Sequence, residues 1–200
     1  MLLSSTTVNG AVSNDSNNNI TMSVGNTVIA NVNSSGIFFE SGKKAIYTGA
    51  VLQVASAVKS DTLTTSSTTF TDITGLSVSI TPLFSSSKIL VMVNMTGQGV
   101  AGVSIAQFRL VRDSTVINAG AAAGSRTLGF AAAIPADSNH PITHGANYLD
   151  SPSSTSSITY KVQVRTSAGG TAYVNIAQGD SDDVNRTRTS STITVMEIAG

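Results

Sequence analysis

The chain has 200 residues, with 11 basic and 11 acidic side chains, so that only 11% of its residues are charged. Because a nucleic-acid-binding surface needs clustered Lys and Arg, this sparse and balanced charge argues against a nucleic-acid partner. Cysteine is absent, which excludes disulfides and thiolate metal sites. No apolar run approaches the roughly 20 residues of a membrane-spanning helix, so we expect no membrane insertion.

The first predicted region, residues 1–49, is dense in Asn and Ser. Apolar stretches at 20–24, 28–32 and 36–39, separated by Gly-Asn and Ser-Ser-Gly sequences, predict short strands joined by turns. A lone ribbon of two such strands is marginal in water. We therefore expect an attachment segment that is stabilised by copies of itself or by docking onto another protein.

The second predicted region, residues 50–200, contains longer strands in which apolar and polar residues alternate. Residues 158–165 show this period of two, which is typical of a strand with one buried face, and Gly169 and Gly170 predict a chain reversal after it. Roughly eight such strands without an amphipathic helix predict an all-β, two-sheet antiparallel β-sandwich that best matches a jelly roll. An immunoglobulin-like sandwich is the alternative, although its Trp and Cys hallmarks are missing.

The predicted strand around residues 88–95 is apolar on both faces. Ile89, Val91 and Val93 alternate with Leu90 and Met92, so the two sets point to opposite sides of the sheet. A strand of this kind is covered on both sides. We therefore predict that Leu90 and Met92 lie at an interface with another copy of the chain.

Glu197 stands in the last predicted strand, on the same face as the apolar Ile193 and Val195. An unpaired buried charge is costly, so this carboxylate is expected to have a partner. Arg109 and Arg112 are the candidates, either within the chain or from a neighbouring copy. We interpret Glu197 as half of a core or interface ion pair, not as an acid catalyst.

Two groups of side chains are weak candidates for metal ligands. His140 and His144 are four residues apart, but a proline and a glycine in the same stretch disfavour the helix that would align them. Asp180, Asp182 and Asp183 lack the glycine and the distal glutamate of an EF-hand loop. We predict two solvated imidazoles and an acidic turn, with a site of one His per chain on a trimer axis as the alternative.

The sequence contains no recognisable catalytic motif. G-x-S-x-G is missing, and neither His belongs to a recognisable triad. The two glutamates lie in the N-terminal region and in the last strand, so they do not form the carboxylate pair of a glycosidase. We therefore predict a protein that is not an enzyme and that uses no cofactor.

Five segments in order resemble a β-rich domain at the C-termini of tailed-bacteriophage virion proteins, structural or tail-fibre-like, of marine and cyanobacterial phages. They are "TGLSVSITP", "SSKILVMV", "FRLVRDST", "NYLDSPSSTSSITYKVQVRT" and "SSTITVMEIAG". The resemblance covers roughly residues 50–200 and implies a protein that is assembled in the host cytoplasm and exposed on the virion. Related appendage tips are commonly trimers of jelly-roll-like domains, so the resemblance also implies a homotrimer.

Taken with the short leading region, the resemblance favours a short trimeric fibre or spike-like appendage over a long fibre. Residues 1–49 are then expected to anchor it to another virion protein. A tail-fibre tip that binds a host surface glycan is one alternative, and its candidate aromatic contacts are Tyr148 and Tyr173. A decoration protein that clamps capsid subunits is the other.

Overall fold

The computed structural model describes residues 11–14, 20–24, 27–33, 36–39, 46–135, 139–167 and 169–200. The chain divides into two compact units, Met1–Tyr47 and Thr48–Gly200, whereas the predicted boundary follows residue 49. No helix occurs among the described residues, and hence none long and apolar enough to cross a membrane.

The first unit contains one antiparallel sheet of four strands in chain order: β1 (Ala11–Asn14), β2 (Ile20–Val24), β3 (Thr27–Asn33) and β4 (Gly36–Phe39). The last three match the three predicted strands, and β1 is additional. The register aligns Ile20 with Val32 and Ile37 in one row. Met22, Ala30 and Phe39 form the next row on the same face. One face of this sheet is therefore apolar, and Ile37 on it is 59% exposed.

The described residues of the second unit form eleven strands. In chain order they are β5 (Val51–Lys59), β6 (Leu63–Thr65), β7 (Thr71–Ile80), β8 (Lys88–Gln98), β9 (Ala106–Arg112), β10 (Thr115–Ile117), β11 (Ala131–Ala133), β12 (Thr143–Asp150), β13 (Ile158–Thr166), β14 (Ala172–Val174) and β15 (Ser191–Ile198). The first sheet has the order β10-β9-β13-β7, with β11 also paired to β9. The second sheet has the order β5-β15-β8-β14-β6, with β12 also paired to β8. All of these pairs are antiparallel.

The hydrophobic core of this unit draws side chains from both sheets. Alternate residues of β13 and β15 are buried, as the period of two predicts. The largest apolar side chains that are fully buried are Ile73, Leu76, Phe108, Leu110 and Tyr160 from the first sheet, and Ile89, Val91, Met95 and Ile193 from the second. The predicted all-β class is confirmed, with antiparallel sheets consistent with a β-sandwich. The jelly-roll connectivity stays a prediction.

Candidate interaction surfaces

The outward face of the second sheet carries a row of apolar side chains across four neighbouring strands. Leu90 lies opposite Met196 and Leu149, and Met196 lies opposite Val54. Val54 is 56% exposed and Leu149 is 54% exposed, while Leu90 and Met196 are half-buried. These four residues are termed the apolar row. Met92 is half-buried on the same face, two positions further along β8.

The row on one side of the apolar row contains Lys88, which is exposed and lies opposite Ile198. The two rows on the other side are uncharged. The first consists of Ser56, Thr194, Met92 and Asn147, and the second of Val58, Thr192, Asn94 and Gly145. Neutral side chains allow a second surface of the same kind to approach without like-charge repulsion. These three rows can therefore bury apolar area against an identical copy at a low electrostatic cost.

Glu197 lies on the opposite, inward face of β15 and is fully buried. Its Oε1 accepts hydrogen bonds from the Ser87 hydroxyl at 2.6 Å and from the Leu83 backbone N–H at 2.8 Å. Its Oε2 accepts a hydrogen bond from the Gln53 side-chain amide at 2.5 Å. The carboxylate is thus bound by neutral donors, two of which come from the turn between β7 and β8.

The predicted pairing of Glu197 with Arg109 or Arg112 within the chain is therefore wrong. Arg112 binds Asp150 instead, and Arg109 lies on the outward face of the first sheet. Burial raises the pKa of Glu197, but the hydrogen bonds from Ser87, from the Gln53 amide and from backbone N–H groups outweigh it. The net result is a pKa below the ordinary value, so Glu197 is ionised in the folded protein at neutral pH.

Arg112 and Asp150 form a partly buried ion pair with Tyr160. Arg112 Nη1 donates to both carboxylate oxygens of Asp150 at 2.9 Å, and the Tyr160 hydroxyl donates to Oδ2 at 2.7 Å. Burial raises the pKa of Tyr160, and the hydrogen bond to the Asp150 carboxylate raises it further. Tyr160 therefore stays protonated and acts as a donor that holds Asp150 in place.

The change Tyr160→Phe is expected to lower the free energy of unfolding by about 1.5 kcal/mol, because a buried carboxylate loses one of its donors. Urea denaturation followed by circular dichroism measures the change. Tyr148→Phe is the matched control, since no partner of the Tyr148 hydroxyl is found among the described residues. An equal loss in both variants would contradict this role of the Tyr160 hydroxyl.

The two histidines occupy different environments. His140 is exposed outside any strand, whereas His144 is in β12, where its ring lies 5.2 Å from that of Phe108. His144 Nε2 is 2.9 Å from the carbonyl oxygen of Gly97, to which its Nε2–H tautomer donates. The prediction of two solvated loop imidazoles is wrong for His144, because β12 begins at Thr143 and turns this ring toward the core.

Asp180, Asp182 and Asp183 lie between β14 and β15. Asp180 binds Arg188, with its oxygens 3.2 Å from Nε and 2.5 Å from Nη2. Asp183 Oδ1 accepts hydrogen bonds from the backbone N–H and the side-chain amide of Asn185, at 2.8 and 3.0 Å. Asp182 is exposed. In the part of the chain that the structure describes, no three His, Asp or Glu side chains are grouped so that they could hold a metal ion.

Tyr148 and Tyr173, the predicted aromatic contacts of a binding tip, are both in strands. Tyr148 of β12 packs against the core, half-buried. Tyr173 of β14 is half-buried between two fully buried residues, Ala172 and Val174, and points to the other side of its strand. Tyr148 lies opposite Val91 and Tyr173 opposite Gln98, seven positions apart along β8. The structure therefore does not bring the two rings together as one aromatic platform.

Sequence reasoning missed a cluster on the outward face of the first sheet. The guanidinium carbon of Arg109 lies 4.0 Å from the ring centroid of Phe70, and that of Arg165 lies 5.9 Å from it. Arg165 could have been found from the alternation in β13, which turns it outward together with Lys161 and Gln163. The position of Phe70 could not be predicted from side-chain alternation, because Phe70 precedes β7 in an irregular stretch.

No protein-family model matches the chain, and no curated protein sequence matches it significantly. Its function therefore has to be argued from the placement of its own side chains. Both buried carboxylates among the described residues, Asp150 and Glu197, are bound by donors of the same chain and stabilise the fold. In the second unit, the outward faces of the two sheets carry side chains that remain open to a partner.

Proposed function

We propose that the protein is a structural protein of a tailed-phage virion and forms a short homotrimeric fibre or spike-like appendage. The observation that supports this most is the apolar row on the outward face of the second sheet, together with the two uncharged rows beside it. A monomer leaves this face in water, whereas closed symmetry buries it between identical copies. The resemblance of residues 50–200 to domains of phage virion proteins supplies the biological setting.

The first unit is proposed to attach the appendage to another virion protein through residues 1–49. One face of its sheet presents Ile20, Val32, Ile37 and Phe39, of which Ile37 is 59% and Phe39 41% exposed. A single sheet with one apolar face needs a second layer to bury that face. A partner surface in the particle would supply this layer. In this proposal the protein assembles and supports, and it catalyses no reaction.

The setting is tested on purified particles of a phage that encodes the chain. Antibodies against the second unit are expected to label one location on the head, neck or tail, and quantitative mass spectrometry is expected to give a few to a few dozen copies, in a multiple of three. Hundreds of copies spread over the head would favour a capsid decoration protein instead. Absence of the chain from washed particles would contradict a place in the virion.

The change Leu90→Glu is expected to convert the trimer into single chains without unfolding them. It puts a charge in the middle of the apolar row, which the proposed interface would remove from water. Sedimentation velocity measures the mass, and circular dichroism confirms the fold. Ser79→Glu adds the same charge on the outward face of the first sheet, where Ser79 is exposed, and should leave the mass unchanged. A Leu90→Glu protein that keeps the mass of the trimer would show that the copies associate elsewhere.

A receptor-binding tip is the second candidate function. It is favoured by one observation, the outward-facing Arg109, Arg165 and Phe70 on the first sheet. The two roles are compatible, because they use opposite sheets of the second unit.

A further inference from the structure

Two arginines converge on one aromatic ring at the outward face of the first sheet. Gln163 lies opposite Arg109 in the pairing of β13 with β9, and Arg165 follows two positions along β13, so the arginines are diagonal neighbours. The ring of Phe70 lies within about 6 Å of both guanidinium groups, a distance at which a cation is attracted to an aromatic face. Arg109, Arg165 and Phe70 are termed the arginine cluster.

The arginine cluster has more donors than acceptors. Arg109 donates through Nε to Gln163 Oε1 at 2.7 Å, and its terminal nitrogens have no acceptor among the described residues. Arg165 Nε is buried, and it has no hydrogen-bond partner among the described residues. Arg165 also forms no ion pair with any of those residues. The carboxylate of Asp72 is already bound by Lys161 Nζ at 2.8 Å and by the Gln163 amide at 2.5 Å.

The local electrostatics agree with this shortage of negative charge. Burial lowers the pKa of Arg109, and the charge of Asp72 offsets only part of that effect. A buried donor without an acceptor is unfavourable, and two neighbouring guanidinium groups repel each other. An anion placed between Arg109 and Arg165 would accept hydrogen bonds from their terminal guanidinium nitrogens and remove the repulsion.

The cluster continues into a shallow depression. Gln107 lies opposite Arg165 in the register of β13 with β9. With Thr127, Gly129, Phe130, Ala131 and Ala132, Gln107 lines an open hollow of about 260 Å³. Gln107 therefore belongs both to the hollow and to the surroundings of Arg165, and the hollow adds the hydroxyl of Thr127 and the ring of Phe130. This combination of polar edges and an apolar floor suits a sugar ring.

We propose that the arginine cluster binds a carboxylate of an acidic polysaccharide, whose neighbouring sugars lie in the depression. The planar guanidinium fork matches a carboxylate with two parallel hydrogen bonds. A nucleic acid fits less well, because it needs a continuous cationic track, whereas the outward residues of β7 beyond Asp72 are Thr74, Ser77 and Ser79. The site goes beyond the proposed structural role and does not depend on trimer formation.

Isothermal titration calorimetry of the full chain with oligogalacturonate, which carries a carboxylate on every sugar, tests the proposal. Binding is expected, and it should weaken as the salt concentration rises. Arg165→Gln is expected to weaken binding at least about tenfold, because one charged pair of hydrogen bonds is lost. Arg109→Lys keeps the charge but loses the planar fork, so a similar loss is expected. Neutral dextran of the same length should not bind.

Arg188→Gln is the matched control, because it removes the same charge from an exposed side chain between β14 and β15. It should leave the affinity unchanged, and thermal melting should show that every variant is folded. If Arg165→Gln does not fold, Arg109→Lys decides the outcome. No binding by the unaltered chain, or an equal loss with Arg188→Gln, would overturn the site. Binding of polyglutamate or poly-dT as tight as that of oligogalacturonate would overturn the assignment to a polysaccharide.

Discussion

Replacing Asn175 by alanine is expected to lower the free energy of unfolding by about 4 kcal/mol, the largest loss that we expect from one substitution. Asn175 is fully buried between β14 and β15. Its amide nitrogen donates to the backbone carbonyls of Lys59 at 2.9 Å and Asp61 at 3.0 Å. Its amide oxygen accepts from the Ser191 hydroxyl at 2.5 Å. Alanine leaves all of these groups without this partner inside the protein.

The backbone of Asn175 adds to the cost of the substitution. Its φ is +60°, in the left-handed region that asparagine tolerates better than alanine. Its N–H donates to the carbonyl of Thr96 at 3.0 Å, and its carbonyl accepts from Thr189 N–H at 3.2 Å. The Ser191 hydroxyl in turn accepts from Thr96 N–H at 3.1 Å. One asparagine thus joins the end of β5 to β8 and to the start of β15.

Urea denaturation at one fixed protein concentration measures the effect, since association would otherwise shift the apparent stability. Asn175→Gly separates the loss of the side-chain hydrogen bonds from the cost of the backbone conformation. Glycine adopts positive φ freely, so Asn175→Gly should lower the free energy of unfolding by about 1 kcal/mol less than Asn175→Ala. The exposed Asn185 is the control, and Asn185→Ala should cost less than about 1 kcal/mol. A loss below about 1 kcal/mol for Asn175→Ala would show that the buried network does not stabilise the fold.

Glu197→Gln is expected to lower the free energy of unfolding by about 2.5 kcal/mol at neutral pH. The side-chain amide of glutamine keeps one acceptor oxygen, but its NH2 group replaces the other oxygen. This NH2 group then faces a donor from Ser87, Leu83 or Gln53, which loses its acceptor. The pKa of Glu197 in the folded protein lies below its ordinary 4.5. The contribution of the carboxylate is therefore present above pH 4.5 and is lost as the pH falls through the folded-state pKa.

The pH dependence distinguishes this role from simple packing. The difference in unfolding free energy between the unaltered chain and Glu197→Gln should be largest near neutral pH and should shrink below about pH 4.5. Asp182→Asn, which changes an exposed carboxylate, is the control and should alter stability by less than about 0.5 kcal/mol. A difference that stays constant with pH would contradict the assigned role of the ionised carboxylate.

The sequence predicted those features that depend on local periodicity. The alternation in residues 158–165 predicted β13, whose even-numbered residues from Ile158 to Thr166 are buried. The doubly apolar pattern around Leu90 predicted a strand with a second apolar face, and Leu90 lies on the outward side of β8. Side-chain alternation records which face a residue occupies, and that information is local to each strand.

The features that sequence reasoning missed depend on which distant segments meet. Leu83 and Ser87 bind Glu197 because the turn between β7 and β8 folds over the end of β15. Nothing in the spacing of charged residues indicates that backbone and hydroxyl donors will take the place of an arginine. Phe70 meets Arg165 because β7 pairs with β13 through a shifted register between Lys161 and Gln163. Such irregularities in register follow from tertiary packing.

We propose that this chain buries its apolar outward face against two copies of itself. Sedimentation velocity of the full chain at micromolar concentration, with light scattering on the same sample, tests it most directly. The expected result is a single species with three times the 20.4 kDa mass of one chain. A folded, cooperatively melting species of 20.4 kDa, stable over the same concentration range, would show that the chain does not form this trimer.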